Sequence, residues 1–99
     1  VGRRREKPID CPELKKILNR LGFHGQPGKG AHEKWVHPCL KGRKRHVIVS
    51  CHNAPFHRKI LYLMIEQMGL TREEFAQCRE SLSYAEEFGR LHDCQADTT

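Results

Sequence analysis

Histidine is the side chain best suited to move protons near neutral pH, and His32 stands where such a group has use. It follows Lys29-Gly30-Ala31 and precedes Glu33-Lys34. A Lys-Gly turn opening a strand presents the imidazole on a rigid edge, beside backbone N–H groups that Gly30 leaves uncovered. Lys29 and Lys34 flank it and are placed to hold an anionic group and stabilise charge developing there. Together these residue types support acid–base catalysis next to a phosphate. Arg43, Lys44 and Arg45 form a second basic cluster, read as part of a turn around Gly42 and suited to phosphate contact. Trp35 allows two readings, an aromatic platform for a base or a core anchor packed on a helix. The remaining histidines are read as surface residues, except His37, which packs beside Pro38, and His52, a secondary candidate because it follows the best strand. No Gly-rich phosphate loop, paired-carboxylate site or Cys-His nucleophile stands out, and no cofactor is expected.

Charge distribution fits a polyanionic partner. Of the 99 residues, the first 72 carry sixteen Lys and Arg against five acids, whereas the last 27 carry two Arg against seven acids. A basic body on a small domain gains from each phosphate it contacts, because condensed counterions are released. The acidic tail either screens that face or meets another partner.

Five cysteines, Cys11, Cys39, Cys51, Cys78 and Cys94, are odd in number and scattered without a CxxC pair. With no long apolar run and no signal-peptide pattern, the expectation is reduced thiols in a cytoplasmic protein rather than a disulfide framework. His37, Cys39, Cys51 and His52 flank the ends of two strands and form a conceivable Cys2His2 zinc site. Their spacings match no common zinc signature, so free buried thiols and no metal are expected.

These groups need elements to position them. Asp10 or Cys11 opens a helix with Pro12 and Glu13 in its first turn. Leu14, Ile17, Leu18 and Leu21 form its apolar stripe, and Gly22 caps it. Residues 23–29 (FHGQPGK) give a short edge strand or irregular arm, broken by Gly25, Pro27 and Gly28. Residues 31–37 alternate, with Trp35 sharing a face with Glu33 and His37 while Val36 shares the other with His32 and Lys34; Pro38 ends the strand. Residues 45–51 form the strongest strand through Val47, Ile48 and Val49. A loop from His52 to Pro55 leads to a helix from about Phe56 to Met68, burying Ile60, Leu61, Met64, Ile65 and Met68 and capped by Gly69. Thr71 and Glu74 have capping-box spacing, so another helix starts at Arg72. Helix continues or restarts through Tyr84, Phe88 and Leu91. The expected organisation is a flexible basic arm (1–8), a folded domain (9–75) and an acidic helical extension (76–99).

Three stretches resemble the HicA-type mRNA interferase toxins. Residues 14–23 (LKKILNRLGF) resemble that family's opening helix with its terminal Gly-aromatic pair. Residues 29–38 (KGAHEKWVHP) resemble its Lys-Gly-Ser-His segment running through an aromatic strand to His-Pro. Residues 60–75 (ILYLMIEQMGLTREEF) resemble its second helix and Gly-Leu-Ser/Thr-x-Glu-Glu-Phe exit. Two departures stand out. Ala31 replaces a small polar residue before the histidine, and glycines and proline interrupt the first strand.

The resemblance implies an α+β fold like a double-stranded-RNA-binding domain, with a three-stranded antiparallel sheet carrying two helices on one face. It also implies metal-independent cleavage of mRNA with His32 as the catalytic residue, and inhibition by a HicB-type antitoxin protein. Two other readings stay open: a non-catalytic RNA-binding module of the same fold, and a protein-interaction adaptor docking through residues 73–99.

Overall fold

The computed structural model describes residues 7–27 and 32–94. Residues 1–6 of the basic arm, the segment holding Gly28, Lys29, Gly30 and Ala31, and residues 95–99 lie outside the described range. Helix α1 (Cys11–Leu21) is followed by strands β1 (His24–Pro27), β2 (His32–Leu40) and β3 (Arg43–Ser50) and a 3-10 turn at Cys51–Asn53. Helices α2 (Arg58–Met68), α3 (Arg72–Glu80) and α4 (Leu82–His92) complete the chain. The strands form one open antiparallel sheet in the order β1-β2-β3. This is the expected α+β architecture, consistent with a double-stranded-RNA-binding-domain-like fold.

Helix α1 forms as its sequence dictates. Asp10 caps it by accepting the Glu13 N–H at 3.1 Å, and Gly22 ends it at φ 103°. Leu14, Ile17, Leu18 and Leu21 are all buried. The capping box forms at α3, where the Thr71 hydroxyl accepts from Glu74 N–H at 3.1 Å and the Glu74 carboxylate accepts from Thr71 N–H at 2.8 Å. Ser81 then caps α4 through its side chain, so the helix restarts rather than continues. Glu13 and the carbonyls of Lys7 and Pro8 accept from the Arg79 guanidinium, tying the chain entry to α3.

Four elements depart from expectation. β2 runs past Pro38 to Leu40 because a register shift falls between His37 and Leu40. Proline lacks an N–H, and a bulge is where a strand tolerates that loss. The turn after β2 is tighter than expected. Only Lys41 and Gly42 form it, at φ 53° and 86°, as two-residue hairpins with left-handed central residues require. Arg43, Lys44 and Arg45 therefore belong to β3, not to a turn. α2 starts at Arg58 rather than Phe56, since the Phe56 backbone exchanges hydrogen bonds with Ile9 at 2.8 and 3.2 Å. Ile60 is 45% exposed, because the arc of Leu61, Met64, Ile65 and Met68 turns it outward.

The cysteines also differ. Cys11 bonds Cys51 and Cys39 bonds Cys94, while Cys78 is free and buried. The odd, scattered cysteines and the lack of a signal-peptide pattern point to reduced thiols, but spacing does not reveal which cysteines the fold brings together; here Cα–Cα distances of 5.4 and 5.3 Å fall in disulfide range. Cys39 and Cys51 lie in different disulfides, so they cannot share a zinc ion with His37 and His52.

The core lies between one face of the sheet and the helices, and it continues into the C-terminal helices. Val47 and Val49 face it from β3, Phe23 and Leu40 close it, and Cys78, Ala85 and Phe88 join the same cluster from α3 and α4. Gly89 permits α4 to lie on the end of α1: a Cβ there would stand 2.3 Å from the Leu21 carbonyl oxygen. Backbone cannot yield as a flexible side chain would, so Gly89→Ala is expected to cost about 1–3 kcal/mol by overpacking. Urea unfolding measures it, and an unchanged midpoint would contradict this packing.

Among the described residues His37 is the buried polar side chain, 1% exposed. Its Nδ1 accepts the Cys39 N–H at 3.1 Å, its ring meets Phe23 edge-on, and it also bonds the Leu21 backbone. Burial holds its pKa below the ordinary histidine value. The unfolded chain therefore takes up a proton near pH 6.5 that the native state still refuses, and stability falls as pH drops from about 6.5 toward the depressed folded value. Above that window the penalty vanishes. Urea midpoints between pH 7.5 and 5 should fall less steeply for His37→Gln than for wild type, even though the variant is less stable at pH 7.5.

Candidate active site

Antiparallel pairing sorts the sheet residues into two faces. Glu33, Trp35, His37, Val47 and Val49 look toward the helices. His24, Gln26, His32, Lys34, Val36, Lys44, His46, Ile48 and Ser50 share the open face, with His24 opposite Val36, Gln26 opposite Lys34, Lys34 opposite Ile48, Val36 opposite His46 and His32 opposite Ser50. Among the described residues, no acidic one occupies a strand position on that face. Lys34 and Lys44 are both exposed there, so its formal charge is positive and a phosphate backbone is its natural complement.

His32 stands exposed at the first position of β2. Its Nδ1 lies 2.5 Å from Ser50 Oγ, at the last position of β3. With Nδ1–H donating to that oxygen, Nε2 is the basic nitrogen turned away from the bond. The bulge at Pro38 sets this pairing. Leu40 lies opposite Arg43 beside the turn, and beyond the bulge His37 lies opposite Arg45, one residue short of an unbroken ladder. Without that shift Cys51, not Ser50, would face His32. The ring of His52, in the 3-10 turn that follows, lies edge-to-face with that of His32 at 5.7 Å between centres.

The other candidates divide clearly. Lys34 lies two residues from His32 on the same face, one pleat along. Lys44 shares the face, but six strand positions from Ser50 place it about 20 Å away. Arg43 is exposed beside the hairpin turn, far from His32. Arg45 is turned to the helix side, where it donates to the carbonyls of Leu40 at 3.0 Å and Lys41 at 3.5 Å. It lies against Gly69. Burial first, and the neighbouring Arg43 second, lower its pKa, but guanidinium stays charged at any relevant pH. Its contacts brace the hairpin. Lys29 and Gly30 lie outside the described residues.

Trp35 also faces the helices. Its indole N–H donates to Glu33 Oε1 at 3.1 Å, and its ring covers Gly25, where a Cβ would sit 2.8 Å from it. Glu33 in turn accepts from Lys15 Nζ at 2.8 Å; that hydrogen bond, foremost, holds its carboxyl below the usual carboxylate range. Trp35 and His32 thus stand on opposite faces of the sheet. Ser50 was missed in the sequence because only the bulge-shifted register brings it to His32. The signal for His52 was its place just after the strongest strand.

A histidine hydrogen-bonded to a serine, a second imidazole beside it and a lysine on the same acid-free face can bind a phosphodiester and exchange protons with it. Among the described residues no group of three His, Cys, Asp or Glu is placed to hold a metal ion, and no helix is long and apolar enough to cross a membrane. Among curated proteins and among solved structures, nothing matches the chain. The family model described as the HicA toxin of bacterial toxin–antitoxin matches residues 11–70, from the first turn of α1 through the residue after the α2 cap. With well over half of its length matched, this chain belongs to the HicA toxin family of bacterial toxin–antitoxin systems.

Proposed function

We propose that the protein is the toxin's catalytic agent itself, an endoribonuclease that cleaves mRNA at His32 without a metal ion. The observation that carries this reading is the exposed His32 ring on the acid-free sheet face, its Nδ1 engaged by Ser50 and Nε2 left to act. RNA carries its own nucleophile. The 2′-hydroxyl attacks the adjacent phosphorus once a base takes its proton, and His32 Nε2 is that base. Lys34, and Lys29 ahead of it, bind the phosphate and stabilise the charge that builds on its oxygens. Lys44 holds the strand further along the same face.

As a toxin acting on transcripts it works in the cytoplasm, and a HicB-type antitoxin protein restrains it. Incubating purified protein with mRNA in EDTA tests the assignment: wild type yields fragments and His32→Ala does not. Equal cleavage by both would refute it. A gel shift with no fragments would favour the second reading, a non-catalytic RNA-binding module, which the exposed lysines on the open face also suit.

A further inference from the structure

A single histidine that takes the proton from the 2′-oxygen leaves half of the reaction unserved, because the departing 5′-oxygen also needs a proton. Ser50-Cys51-His52 brings a second imidazole beside the first from three consecutive residues. Ser50 holds the His32 ring at 2.5 Å. Cys51 is bonded to Cys11 at the start of α1, which fixes the 3-10 turn against the core. His52, exposed, carries its imidazole to 5.7 Å from that of His32, with the rings at 87°. Two imidazoles at that spacing can reach the two oxygens that lie in line across one phosphorus, the arrangement general acid–base catalysis needs.

We propose that His52 is the general acid of the site, a reading that rests on the ribonuclease assignment above. The step balances as follows. His32 Nε2 accepts the 2′-hydroxyl proton as the 2′-oxygen forms a bond to phosphorus. The bond from phosphorus to the 5′-oxygen breaks, its electron pair leaves with that oxygen, and His52 donates a proton to it. The products are a 2′,3′-cyclic phosphate and a 5′-hydroxyl. His32 ends protonated and His52 neutral, and proton exchange with water restores both.

The test uses two versions of one short RNA, one ordinary and one with sulfur in place of the scissile 5′-oxygen. A thiolate departs without protonation, so the modified substrate does not need the acid. His52→Ala is expected to slow cleavage of ordinary RNA by about 100-fold while cleaving the sulfur substrate at about the wild-type rate. His32→Ala should lose both. Ordinary RNA cut at the wild-type rate by His52→Ala would overturn the proposal and leave the ribonuclease assignment standing. Equal loss on both substrates would overturn it too, since that marks a structural role for His52. Wild type cleaving neither would overturn the ribonuclease reading and this one with it.

Discussion

Replacing His32 by alanine is expected to lower RNA cleavage by about 10²–10⁴-fold, with RNA affinity changed by no more than about threefold. The asymmetry follows from the site. The imidazole is exposed on the sheet and is not part of the core, so on the proposed mechanism its removal takes away a proton acceptor rather than a structural support. On the proposed function, affinity rests instead on lysines such as Lys34 and on Lys44 further along the face, each expected to respond to salt as phosphate contacts do. Ser50→Ala should fall between wild type and His32→Ala, because it frees the ring to rotate without removing it. Measuring kcat and RNA Kd in the same buffer checks the split. An affinity loss as large as the rate loss would show His32 to be a binding residue only.

Breaking either disulfide is expected to cost about 4 kcal/mol on the loop-closure argument, since the bridges close segments of 40 and 55 residues. Against a typical total of about 5–15 kcal/mol, one such loss is severe. The two bonds act at different places. Cys39–Cys94 fastens the end of α4 to β2, where Lys41 N–H also bonds the His92 carbonyl at 3.0 Å and Leu40 bridges Asp93. Cys11–Cys51 fastens α1 to the turn that carries His52. Cys78 is poorly suited to exchange with either bond. It is fully buried, and burial, with the nearby Glu74 charge second, pushes its thiol up to about 12, which leaves almost no thiolate to attack. Urea unfolding of Cys11→Ser and Cys39→Ser, beside wild type with and without a thiol reductant, measures the effect. The reductant arm also measures the stability of the chain with both bonds open. Equal midpoints with and without reductant would show that the bonds contribute nothing.

Sequence pattern was enough wherever local chemistry decided the structure. Asp10, the stripe from Leu14 to Leu21 and Gly22 define α1 within a residue, and Thr71 with Glu74 mark the start of α3. Alternation from His32 to His37 correctly divided that strand into an exposed edge and a core side, and placed Trp35 and His32 apart. What sequence could not supply was set by distant parts of the chain. The bulge at Pro38 depends on pairing across the hairpin, and it alone decides that Ser50 faces His32. Arg45 reads as one of three equivalent cations, yet strand parity sends it to the helix side, where carbonyls of the hairpin engage it. Both disulfides join residues that only the tertiary fold brings together, and Gly89 is a poor helix residue until Leu21 is placed beneath it.

The end chemistry of the RNA fragments bears most directly on the role of His32. Mapping wild-type products made in EDTA is expected to show 2′,3′-cyclic phosphates upstream of each cut and 5′-hydroxyls downstream. Fragments carrying 5′-phosphates and 3′-hydroxyls would mean that water, not the ribose, attacked the phosphorus, and would contradict the account.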